Sequence, residues 1–181
     1  MVKHITKKKL IAIIATLVFF TAGLAVTSYA LVRSFIEVDS EITMGDGVDL
    51  NINDGAPIID TANIVYEPGG TYISSFTLEN RGSIDVWYKV FPTDASGELR
   101  DYITVTVKEQ DGTVMCQGNM GDIKSDDINV GALLAGEKKT LSVELYFIPG
   151  ADNTAQGKTV SFKITASATQ KQGNPDKDFG D

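Results

Sequence analysis

YISSFTLENRGSIDVWYKVF, residues 72–91, contains two alternating runs and the turn between them. Tyr72, Ser74, Phe76 and Leu78 alternate with Ile73, Ser75, Thr77 and Glu79, and Asn80-Arg81-Gly82 ends the run. Val86, Tyr88 and Val90 then alternate with Trp87, Lys89 and Phe91, so the second run is bulky on both faces. Successive side chains of a strand point to opposite faces, so a period of two predicts strands with one buried side.

The same pattern recurs on either side. Upstream, Val48, Leu50 and Ile52 alternate with Asp49, Asn51 and Asn53 and stop at Asp54-Gly55. Downstream, Ile103, Val105 and Val107 lead through Asp111-Gly112, a hairpin signal, into Val114 to Gln117. Leu141, Val143, Leu145 and Phe147 form another run, closed by Pro149-Gly150. Val160, Phe162, Ile164, Ala166 and Ala168 form the last. Residues 118–136 are more polar and irregular, with room for a short helical turn, and no apolar helical repeat of ten residues occurs. Short strands set apart by Gly, Pro, Asn and Asp predict an all-β, jelly-roll-like antiparallel β-sandwich. The sandwich domain is expected over 45–170, with 171–181 a flexible polar tail.

The N-terminal residues have the pattern expected of an exported chain. Lys3, Lys7, Lys8 and Lys9 lie within residues 1–9, and residues 10–30 carry no charge. Ser28 and Ala30 are small residues at the −3 and −1 positions of a cleavage after Ala30. A basic, then apolar, then small-x-small order is that of an export signal peptide over 1–30. An uncleaved membrane anchor is the alternative, since about 20 apolar residues span a bilayer. In both cases the lysines stay inside and the remainder lies outside, secreted or held at the cell surface.

Removing 1–30 takes four of the 16 Lys and Arg and none of the 24 Asp and Glu, leaving a net charge of −12 over 151 residues. So acidic a chain lacks the basic footprint of nucleic-acid binding, and contact with the membrane is expected through the signal segment alone. Cys116 is the single cysteine, which excludes an intrachain disulfide and predicts a small buried hydrophobe.

Residues 31–44 read as a separate strand. Val32, Ile36, Val38 and Ile42 share one parity, while Arg33, Glu37, Asp39 and Glu41 hold the other, and Gly45-Asp46-Gly47 follows. An apolar-faced strand at a free end can add to an open edge of the next subunit. Pairing within its own sheet is the alternative.

Three segments together resemble the TasA/camelysin family of Gram-positive bacteria, exported with a SipW-type signal peptidase. They are Gly-Asp-Gly-Val-Asp-Leu-Asn-Ile (45–52), Phe-Thr-Leu-Glu-Asn-Arg-Gly-Ser-Ile (76–84) and Ser-Phe-Lys-Ile-Thr-Ala-Ser-Ala-Thr-Gln (161–170). Leu134-Ala135-Gly136-Glu137, Asn153 and Gln156-Gly157 also fit the family's turns. The resemblance runs from the signal to Gln170. It implies a jelly roll and a non-enzymatic subunit of a biofilm-matrix or spore-coat fibre, with itself or related matrix subunits as partners. The chain is shorter than the main fibre-forming member, which leaves main, accessory and anchoring subunits all open.

The name camelysin carries a metallopeptidase label, and the residues oppose it. His4, the only histidine, is lost with the signal, so no His-ligated zinc and no Ser-His-Asp triad is expected after cleavage. No catalytic, cofactor or metal residues are assigned. Asp46, Asp54, Asp111 and Asp152 read as turn residues and Asp49, Glu79 and Glu144 as polar strand positions. A weak Ca2+ site is the one metal option, at Asp122, Asp126 and Asp127 or at Asp46 and Asp49, although neither group has EF-hand spacing. Trp87 is the candidate surface aromatic for a sugar or a partner, with Tyr66 and Tyr72 as neighbours and Tyr88 as core. A secreted carbohydrate- or surface-binding module is therefore the rival reading.

Overall fold

The computed structural model of the chain describes residues 36–44, 48–59, 68–124, 127–149 and 158–180. The described residues form nine strands, all but β7 on runs read above: β1 (Ile36–Met44), β2 (Leu50–Ile52), β3 (Thr71–Asn80), β4 (Val86–Ser96), β5 (Ile103–Glu109), β6 (Val114–Asn119), β7 (Gly131–Leu133), β8 (Lys138–Phe147) and β9 (Val160–Gln170). They form two sheets packed face to face, one in the order β1-β9-β4-β7 and the other β2-β3-β8-β5-β6. Every pairing is antiparallel except that of β1 with β9, which is parallel. The all-antiparallel expectation is corrected at that one edge. A parallel pair needs a long crossover, and here the crossover is the rest of the domain.

The parity read from sequence is the parity of burial. Val86, Tyr88 and Val90 on β4, Phe162 and Ile164 on β9 beside it, and Leu141, Val143 and Leu145 on β8 of the other sheet are all buried in one continuous core. The Asp111-Gly112 turn forms as its residues require: Gly112 takes a left-handed φ of 91°, and Glu109 N–H bonds to the Thr113 carbonyl at 2.8 Å. Hydrogen bonds from Thr113 hold the Asp111 carboxyl below its usual range.

Two elements escaped the sequence reading. β7 is only three residues long, and Gly131 at its start lies against the Tyr88 ring, where a Cβ would come within 2.5 Å of ring carbons. The other is a 3-10 turn at Arg100–Tyr102 before β5. Residues 171–180 form successive turns folded back on β4 and β9. The Lys171 N–H bonds to the Asp85 carbonyl at 3.0 Å and begins the return.

Asn80, at the end of β3, is fully buried. Its Nδ2 donates to the carbonyls of Ile84 (2.7 Å) and Leu134 (3.1 Å), and its Oδ1 accepts from Gly82 N–H (3.0 Å). Its main chain bonds to Glu137 and Gly136 across the β7–β8 turn, both at 2.9 Å. Leaving buried partners unsatisfied is costly. Asn80→Ala is expected to lower unfolding stability by about 3 kcal/mol, read as a drop in the urea midpoint at unchanged m-value.

Candidate functional site

Three places combine polar chemistry with an exposed edge or face. The first is the edge formed by β1. Ile36 stands opposite Val160, Val38 opposite Phe162 and Ile42 opposite Ala166, in unbroken register from Ile36 to Met44. The strand pairs with β9 of its own chain, as the alternative reading of 31–44 expected, and lies at the sheet's edge. Ala30 and Val32 lie outside the described residues, as does the whole signal segment.

The second is the outer face of β4. Trp87 is half-buried, and its Nε1–H donates to the Asn174 carbonyl at 2.9 Å. The ammonium groups of Lys171 and Lys177 lie 4.9 and 5.0 Å from the indole centroid. Lys89, two residues along the same face, lies 4.3 Å from the Phe179 centroid. Asn174 organises this cover. Its Nδ2 donates to the Asp178 carbonyl (2.7 Å), and its Oδ1 accepts from Asp178 N–H (2.8 Å). The candidate surface aromatic is therefore at the surface of the sheet but beneath the chain's own last residues.

The third was read from sequence only as core. The Tyr88 hydroxyl donates to Glu109 Oε1 at 2.6 Å, and Lys139 Nζ bonds to Glu109 Oε2 at 2.9 Å. Tyr88 belongs to one sheet, Glu109 and Lys139 to the other, so the trio ties the two layers. Desolvation first, then the hydrogen bond to Glu109 and its charge, hold the Tyr88 phenol well above its ordinary 10. Alternation alone marks Tyr88 as buried; it does not reveal which acid crosses the sandwich to receive its proton.

Some of the acids are in ion pairs and others accept backbone N–H groups. Glu79 and Asp54 both meet Arg81 and Lys138, and Glu144 meets Lys108 at 3.1 Å. Among the described residues, no group of three or more His, Cys, Asp or Glu side chains could hold a metal ion. Of the two calcium groups, Asp126 and Asp46 lie outside the described residues, as do Asp152 and Tyr66. Asp127 instead accepts the Lys124 N–H at 3.2 Å. Cys116 is buried, and desolvation followed by the Asp127 charge pushes its thiol up to about 11. A protonated, enclosed thiol is a poor nucleophile. Among the described residues, no helix is long and apolar enough to cross a membrane.

No family model matches the chain, and no curated protein matches it. Among solved structures, it is similar to the ASH/PapD-like domain of human CEP192 (PapD-like domain 7), at 18% identity over 57% of this chain and 74% of that one, with a TM-score of 0.27. It is also similar to a structure described by the words "AvmM catalyzes macrocyclization in alchivemycin A biosynthesis", at 15% identity over 71% of this chain and 91% of that one, with a TM-score of 0.32. At such scores neither likeness bears on the fold or the function.

Two outcomes are expected. The unfolded phenol titrates near 10 and the folded one higher, so the unfolded state loses its proton first as pH rises. The stabilisation from Tyr88 is whole below pH 10 and is lost above it, at about 1.4 kcal/mol per pH unit. Denaturation of both proteins from pH 8 to about 11 should show a slope steeper by this amount in the wild type than in Tyr88→Phe, the raised Cys116 thiol contributing equally to both. A thiol reagent at neutral pH should leave Cys116 unlabelled in the native chain and label it fully in urea.

Proposed function

We propose that the chain is an exported, non-enzymatic structural subunit of an extracellular matrix fibre or surface layer, a jelly-roll protein of the TasA/camelysin kind that assembles by strand addition. The observation that carries this reading is the edge position of β1, the one parallel strand in either sheet. A neighbour's β1 could make the same hydrogen bonds in the same register, and β1 of the first chain would then serve the next. Such a head-to-tail contact does not close on itself, so it propagates. The jelly-roll description adds to the two packed sheets the family's strand connection.

Export by the 1–30 signal, with cleavage after Ala30 by a SipW-type signal peptidase, supplies the timing. While residues 31–44 remain tethered at the membrane they are not free to reach a neighbour; release allows exchange. The partners are then other copies or related matrix subunits, with the product secreted and associated with the cell surface.

One observation favours a second reading, a carbohydrate- or surface-binding module. Trp87, Lys89 and Phe91 fall on one face of β4, and an indole beside an ammonium suits a sugar or an acidic surface. The face is covered in this structure, so that reading needs residues 171–180 to move. A camelysin-like peptidase finds no support in the residues, since the chain after Ala30 holds no histidine.

Negative-stain microscopy of purified residues 31–181 at increasing concentration tests the proposal. Filaments are expected from this chain and none from a chain beginning at Gly45. Filaments from the shorter chain would overturn strand addition. A persistent monomer that binds an insoluble polysaccharide would favour the module instead.

A further inference from the structure

The cover over Trp87 is built from specific contacts, yet it is joined to the domain by a short hinge. Past Gly173, which takes a left-handed φ of 76°, residues 174–180 supply the Asn174 carbonyl to the indole, the Lys177 ammonium to its ring and the Phe179 ring to Lys89. None of these is a strand pairing; β9 ends at Gln170. The segment can therefore leave by breaking a few partly solvated contacts, without opening the core, the usual character of a low-stability unit.

We propose that the Trp87–Lys89 face of β4 is an interaction surface for the C-terminal segment 171–180 of a second copy, exchanged for the copy's own segment. The occupant is identified by the chemistry the face already accepts: an amide carbonyl for the indole N–H, an ammonium over the indole, and an aromatic ring under a lysine. A second copy carries that set by construction, and exchange of an identical element needs no new contact. Seven residues extended from Gly173 reach about 23 Å, enough to bridge adjacent domains. The segment holds Lys171 and Lys177 against Asp176 and Asp178, so its approach to another acidic chain meets little net repulsion. This contact lies on the outer face of β4, whereas strand addition would use the edge of β9, so the two links are separate.

The cis segment has an effective concentration of order mM through its short tether, so exchange should show near that concentration or where copies are held side by side. The test uses the full chain with Phe179→p-benzoylphenylalanine, prepared in light and heavy isotope forms, mixed equally and irradiated from about 1 μM to about 1 mM. The expected result is crosslinks to residues 87–91 that lie within one chain at low concentration and increasingly join light to heavy chains at high concentration. Adding Trp87→Ala should reduce the crosslinks to β4 about tenfold within and between chains alike, through the lost hydrogen bond and cation–π contacts. Crosslinks confined to one chain at every concentration overturn the exchange, and interchain crosslinks mapping away from β4 overturn the surface. Microscopy of the same mixtures separates this inference from the fibre reading: interchain links without filaments retain the exchange and remove the fibre.

Discussion

A primary amide without access to water must use its N–H groups and its oxygen inside the protein, and Asn80 does so across three turns. Its side chain joins the β3–β4 turn to the chain entering β8, while the next two N–H groups, of Arg81 and Gly82, reach the Asp49 carbonyl before β2. Asp85 extends the same cluster, accepting the Ala135 N–H at 3.0 Å and, through its carbonyl, the Lys171 N–H. One end of the sandwich is thus a single hydrogen-bonded unit. Residues 48–52, 76–84 and 134–137 meet there.

The alternating runs made most of the fold legible, because burial on one face imposes a period of two whatever the topology. Phe76, Leu78, Val86, Tyr88 and Val90 were readable as core for that reason. What the sequence could not show is everything decided by partners distant in the chain. The parallel pairing of β1 depends on β9 lying about 120 residues away. β7 is too short to have a period, and its site is set by the fit of Gly131 against Tyr88. Residues 171–180 are polar and rich in turn formers, a composition shared by mobile tails and by turns pinned through side chains. Only the contact with Trp87, 87 residues away, distinguishes the two.

Tyr88, Glu109 and Lys139 show the same division between what is local and what is not. Tyr88 is the largest fully buried side chain, and its hydroxyl could not be placed there without an acceptor from the facing sheet. Glu109 fills that role, and Lys139, only a quarter exposed, balances its charge. A charged pair at the margin of a core contributes little net stability by itself. Its value lies in fixing how the two sheets align, since a shift of either would strand the phenol, the carboxylate or the ammonium.

β9 connects the parts that bear on assembly. It holds β1 on one side and β4 on the other, and its C-terminal end leads directly into the segment over Trp87. Without β1, its outer edge would expose a row of unpaired N–H and C=O groups beside the alternating apolar residues of a core strand, a template for uncontrolled pairing. A chain that supplies its own β1 covers that edge, and on the reading proposed above a neighbour's strand would take its place with the same number of hydrogen bonds. On that reading the balance between closed and linked copies would depend on concentration and on the freedom of the N-terminal strand, not on a new interface. On the reading proposed above, freeing the N-terminal strand would be the control point of assembly, because β1 is held at one edge only.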